Sequence, residues 1–140
     1  MSASTKLSTS VKALCYLEKV SPNSVSSSEI AESIGINSSK LRRILSMLTK
    51  NGIVESNSGT FGGFKLSKTP SEIHLQEIYC AIEDRKAFHL AVRRESIKKN
   101  SLAEKLNSYF LDLFAEVQVD IEDKMKKITL QSIINKLNSN

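Results

Sequence analysis

The stretch that decides the fold is SSSEIAESIGINSSKLRRILSMLTKNG, residues 26–52. Ile30, Ala31 and Ile34 recur at helical spacing, and Ser26 followed three residues later by Glu29 has the form of a capping box. A short helix is therefore expected, capped by Ser26 or Ser27. Gly35 breaks it, and Ile36 reads as a buried plug in the turn. Asn37 or Ser38 then opens a second helix whose Leu41, Ile44, Leu45 and Leu48 face inward, and Asn51-Gly52 closes it. Two short helices joined by a four-residue turn, the second with a basic outward face, predict a helix-turn-helix.

That outward face carries Ser39, Arg42, Arg43 and Ser46, with Ser38 and Lys40 at its opening turn and Ser28 at the start of the preceding helix. An arginine fork matches the two acceptors of guanine, whereas hydroxyls and lysines more often hold phosphate. Free N–H groups at the two helix starts suit phosphates as well. Any surface helix has a polar side, which is the plain alternative. The Arg42-Arg43 pair, with almost no acid between Asn37 and Asn51, favours DNA.

Working outward, residues from about Ser8 to Val20 form a first helix with Val11, Leu14, Cys15 and Leu17 on one side, and SPNSVSSS reads as a linker of turn formers. Downstream, IVES and GFKLS alternate apolar and polar residues around a glycine-rich turn, so a hairpin is expected. Gly59, Gly62 and Gly63 are three of the chain's five glycines. They free the turn for positive φ and for close approach to a sugar–phosphate ridge. A phosphate-cradling P-loop does not fit, because the GxxxxGK[ST] spacing is absent. Directly after a helix-turn-helix, such a hairpin stands where a wing would lie. Ser58, Thr60 and Lys65 are its candidate DNA contacts, Lys68 stands beside it, and Phe61 at the turn either packs on the wing or abuts a sugar.

A further helix is expected from Ser71, opened by Pro70 and capped by Ser71, with Ile73, Leu75, Ile78, Tyr79 and Ile82 apolar. The region 84–100 is less regular. From about Ser101, Leu102, Leu106, Tyr109, Phe110, Leu113, Phe114, Val117, Ile121 and Met125 recur in steps of three and four. This stripe is longer than a small domain needs for its own core, so packing against a second copy is the favoured reading and a self-core role the competing one. TLQSIINKLN forms a last short helix that either docks across a partner or folds back on its own chain.

Charge agrees with a two-sided molecule. Residues 1–70 hold nine Lys or Arg and four Asp or Glu, net +5, while residues 71–140 hold eleven of each. A basic half beside a neutral one suits a polyanion on one side and a protein on the other. No apolar run reaches membrane-spanning length, and MSASTKLSTS lacks the apolar core of a secretory signal, so a cytoplasmic location away from membranes is expected. Two cysteines, Cys15 and Cys80, read as small core residues in a reducing compartment. With no Ser-His-Asp arrangement, no paired carboxylates and no metal-ligand spacing, no enzyme is expected.

Over most of its length the chain resembles the Rrf2 family of bacterial winged-helix transcription regulators. The likeness runs through KLSTSVKAL, SSEIAESIGINSSKLRRILSMLTKNGIVES and GTFGGFKLSKTPSEIHLQEIYCAIE, and GGFKLSKTPSEIHL is its most specific part. The resemblance implies a mainly α fold with a small β-hairpin: a winged helix-turn-helix domain over residues 1–83, then a linker, a long C-terminal dimerisation helix and a short last helix over 84–140. It also implies a homodimer on a palindromic double-stranded DNA operator, with the long helices crossing between subunits through Leu102, Leu106, Phe110, Leu113, Phe114, Val117 and Ile121. The chain departs from the family in two places. Iron–sulfur members hold their cluster with three cysteines between the helix after the wing and the long helix; here the interval from roughly Asp84 to Asn100 has none, and His89 and His74 are isolated. No cofactor or metal is expected. Many members also carry an arginine just before the first wing glycine, where this chain has Ser58. The expectation is a homodimeric repressor without an iron–sulfur cluster, with room for a small-molecule effector of unidentified chemistry. The alternative is a non-catalytic helical protein-interaction module.

Overall fold

The computed structural model describes residues 3–83 and 98–139. Expectations for 84–97, His89 among them, fall outside the described residues. The chain forms two compact units, Met1–Asp84 with Met125–Asn140, and Arg85–Lys124.

In the first unit, helix α1 spans Ala3–Val20, a turn longer at its start than the apolar spacing indicated. In that added stretch Leu7 packs against the core, as Val11 does one turn on, and the fully buried Ser10 hydroxyl donates to the Lys6 carbonyl at 2.7 Å. Helix α2, Ser27–Ile34, is capped by Ser26, whose hydroxyl accepts the Glu29 N–H at 3.2 Å. The Glu29 carboxylate accepts instead from the Tyr16 hydroxyl at 3.3 Å, linking α2 to α1. Gly35, at φ +71, turns the chain, and both its N–H and that of Ile36 reach the Ala31 carbonyl. Gly35, Ile36 and Asn37 alone separate α2 from α3, Ser38–Lys50. Asn37 caps α3 by accepting from the N–H groups of Ser39 at 2.9 Å and Lys40 at 3.2 Å.

Leu41, Ile44, Leu45 and Leu48 of α3 are buried with Leu14 and Leu17 of α1 and Ile30 of α2 in one core. Strands β1, Val54–Asn57, and β2, Gly63–Leu66, pair antiparallel with Val54 opposite Leu66 and Asn57 opposite Gly63. The segment before α2 joins this hairpin: Val25 and Phe64 exchange N–H···O bonds of 3.0 and 2.7 Å.

Helix α4, Leu75–Ile82, starts later than the reading from Pro70 and Ser71. Pro70–Glu72 forms a single 3₁₀ turn, and the chain then runs extended. Here Leu75 N–H donates to the Ile128 carbonyl and Leu130 N–H to the Ile73 carbonyl, both at 2.8 Å, so His74 lies opposite Thr129. His74, not Ser71, takes the N-cap position, its N–H donating to the Glu77 carboxylate at 2.9 Å. Helix α6, Leu130–Asn138, is capped by Thr129 and begins with the fully buried Leu130. The tail therefore folds back on its own chain and completes the core of the first unit.

Helix α5, Leu102–Lys126, all but its last two residues in the second unit, has 25 residues and a length of about 37 Å. Leu102, Leu106, Tyr109 and Phe110 on its apolar stripe are exposed, and Leu113, Phe114, Val117 and Ile121 are partly so. Tyr109, Phe110 and Phe114 form a ladder with ring centroids 5.6 and 5.8 Å apart. Among the described residues no helix is long and apolar enough to cross a membrane.

Candidate nucleic-acid interface

The burial of one side of α3 dictates what the other side presents. With four large aliphatic residues in the core, Ser39, Lys40, Arg42, Arg43 and Ser46 are left exposed, and Ser38 is half-buried at the first turn. Ser28 is exposed on α2. The Arg42 guanidinium donates to the hydroxyl of its helix neighbour Ser39 at 3.4 Å. No ion pair within 4 Å engages Lys40, Arg42 or Arg43 among the described residues. From residue 33 to residue 54 the chain has four cations and no carboxylate. The face is thus an uncompensated positive surface on a rigid, capped helix. The caps themselves occupy the N–H groups of Glu29, Ser39 and Lys40, so those donors are already satisfied.

The hairpin is built differently. Lys65 is paired across the strands with Glu55 at 3.3 Å, and Lys68 with Glu77 of α4 at 2.6 Å. Ser58 and Thr60 are exposed at the turn with Gly59, at φ +101. The other two glycines answer to the protein's own backbone. A Cβ on Gly62 would lie 2.4 Å from the Asn57 carbonyl oxygen, and one on Gly63, at φ +148, 2.4 Å from that of Val25. Phe61 does not pack on the wing; its side chain is 93% exposed.

The Rrf2 family model, described as an iron-dependent transcriptional regulator, matches residues 3–136. The chain belongs to the Rrf2 family. YwnA of Bacillus subtilis, assigned as an HTH-type transcriptional regulator, is 30% identical over 126 residues, covering 89% of this chain and 93% of its own. IscR from T. potens superposes with a TM-score of 0.70 at 25% identity, over 98% of this chain and 88% of that one. A crystal structure of a Lactobacillus plantarum protein assigned as a transcriptional regulator reaches a TM-score of 0.82 at 22% identity, over 95% and 89% of the two chains. This Rrf2 protein is accordingly a DNA-binding transcription regulator with the family's winged-helix fold and long C-terminal helix, and its relatives are regulators rather than enzymes.

The family description invokes iron, and this chain's donor set does not fit an iron–sulfur cluster. It has two cysteines in all. Cys15 is half-buried on α1, where burial pushes its thiol pKa up and disfavours the thiolate that would bind iron. Cys80 is exposed on α4 rather than in the core as its apolar neighbours suggested, and its sulfur accepts from the Gln76 side chain at 3.2 Å. Among the described residues no three His, Cys, Asp or Glu side chains converge as metal ligands.

One feature escaped sequence reading. A groove of about 1050 Å³ runs between α1 and α6, lined by Val11, Cys15, Tyr16, Ile34, Ile134 and Leu137 among others. Its walls come from opposite ends of the chain, and only the docking of α6 brings them together.

Proposed function

We propose that this Rrf2 regulator is a cytoplasmic homodimeric repressor of a palindromic DNA operator. In this reading Arg42 and Arg43 reach base edges in the major groove. Lys40, Ser38, Ser39, Ser46 and Ser28 hold the phosphates on either side. The wing lies against the flanking backbone through Ser58, Thr60 and Lys65, the last contributing little net charge because of Glu55. The observation that carries the proposal is the exposed α3 face, whose Lys40, Arg42 and Arg43 have no ion pair among the described residues and no carboxylate near them in sequence. An interaction module would have no use for such a face and would be expected to neutralise its arginines. The exposed apolar side of α5 supports the dimer, since a contiguous apolar surface of this kind marks an association site.

Selection of bound duplexes from a random DNA pool tests the reading. The expected result is enrichment of an inverted repeat whose half-site centres are about 34 Å, one helical turn, or a multiple apart. Enrichment of a lone asymmetric site, or none at all, contradicts it.

A further inference from the structure

The wing tip is a chemically odd surface for a protein that grips a polyanion. Residues 58–62 are Ser-Gly-Thr-Phe-Gly and carry no charge. The two nearest lysines are each committed to a carboxylate, Lys65 to Glu55 and Lys68 to Glu77. What the tip offers instead is Phe61, at 93% the most exposed large apolar side chain described.

The turn that carries it is held firmly. The last paired residues are Asn57 and Gly63, and the turn beyond them closes through the Gly62 N–H on the Gly59 carbonyl at 3.0 Å. Three attachments hold its base: Val25 pairs with Phe64, the Asn57 amide donates to the Ser24 hydroxyl at 3.1 Å, and Gly62 and Gly63 admit neighbouring main chain where any side chain would clash. Phe61 projects from the end of a braced lever. A phenylalanine left in water forgoes roughly 1.5–3 kcal/mol of burial.

We infer that Phe61 is a DNA-contacting wedge. It enters the minor groove beside the site read by α3 and packs against deoxyribose or between base steps, in place of a cationic wing contact. The inference rests on the DNA-binding reading above and adds a specific contact to it. DNA is the favoured occupant because the hairpin is continuous with the reading helices: β1 follows α3 after three residues, and β2 pairs with the segment leading into α2. Phenylalanine is among the apolar side chains that minor-groove proteins insert between base steps. Such a contact needs no charge and releases no counterions.

The chain contains no tryptophan, so Phe61→Trp places a sole indole at the tip. On adding a duplex that the wild type retains, its emission should shift to shorter wavelength and become protected from acrylamide. Phe61→Ala should fold normally, since the side chain touches little, and bind that duplex about tenfold more weakly, the scale of one aromatic–base contact. Its dependence of log affinity on log salt should match the wild type, whereas Lys40→Ala should flatten it by about one unit. Wild-type affinity in Phe61→Ala, with unchanged indole emission in Phe61→Trp, overturns the inference while leaving the DNA-binding reading intact. A wild type that retains no duplex overturns both. An emission shift that follows protein concentration without DNA assigns the tip to a protein contact and overturns the wedge.

Discussion

Gly62 and Arg42 mark the two ways a single residue matters in this protein. Arg42 is free to act because its neighbours Leu41, Ile44 and Leu45 take up the buried side of α3. Gly62 acts by having no side chain, since a methyl there would sit 2.4 Å from the Asn57 oxygen and 2.8 Å from the Ser58 carbonyl carbon. Gly62→Ala should therefore distort the turn and destabilise the head by about 1–3 kcal/mol in urea unfolding. It should weaken DNA binding with it. Unfolding indistinguishable from wild type would mean the turn relaxes without penalty. Both residues stood out in the sequence, and the outward placement of the arginine was legible there, whereas the glycine's constraint was not. The glycines looked like adaptations to DNA, whereas Gly62 and Gly63 meet the chain's own carbonyls, one of them that of Val25, which precedes α2 in the chain.

At the scale of elements, α2 and α3 were readable because their signals are local. Apolar spacing sets the buried face, Ser26 and Asn37 sit at the caps, and Gly35 supplies the left-handed turn. The start of α4 was not readable, since Pro70 and Ser71 carry the marks of a helix opening. What delays the helix is the pairing of Ile73 and Leu75 with Ile128 and Leu130, more than fifty residues away. The same pairing seats α6 and buries Leu130 in the core of the first unit. Leu130→Ala should lower head stability by about 2–5 kcal/mol, the range for a buried leucine. Thermal or urea unfolding checks this. A loss below about 1 kcal/mol would place α6 outside the cooperative unit.

For the whole molecule, the division of charge and apolar surface matters most. The first seventy residues carry the entire net charge of +5, and α5 carries an apolar stripe that one chain leaves exposed at Leu102, Leu106, Tyr109 and Phe110. Placing glutamates at Phe110 and Leu113 should convert the proposed dimer to monomer in sedimentation. It should also weaken operator binding far beyond the effect on either half-site, because two linked heads bind as one. A dimer that survives both substitutions would move the interface elsewhere. Whether α3 reads DNA is decided by one titration: Arg42→Ala/Arg43→Ala against the wild type on the selected duplex, followed by anisotropy over a salt series. The double variant should stay dimeric, lose preference for the selected sequence and show a log–log salt slope shallower by about one to two units. Equal affinity, equal preference and equal slope in the two proteins would contradict DNA reading by α3.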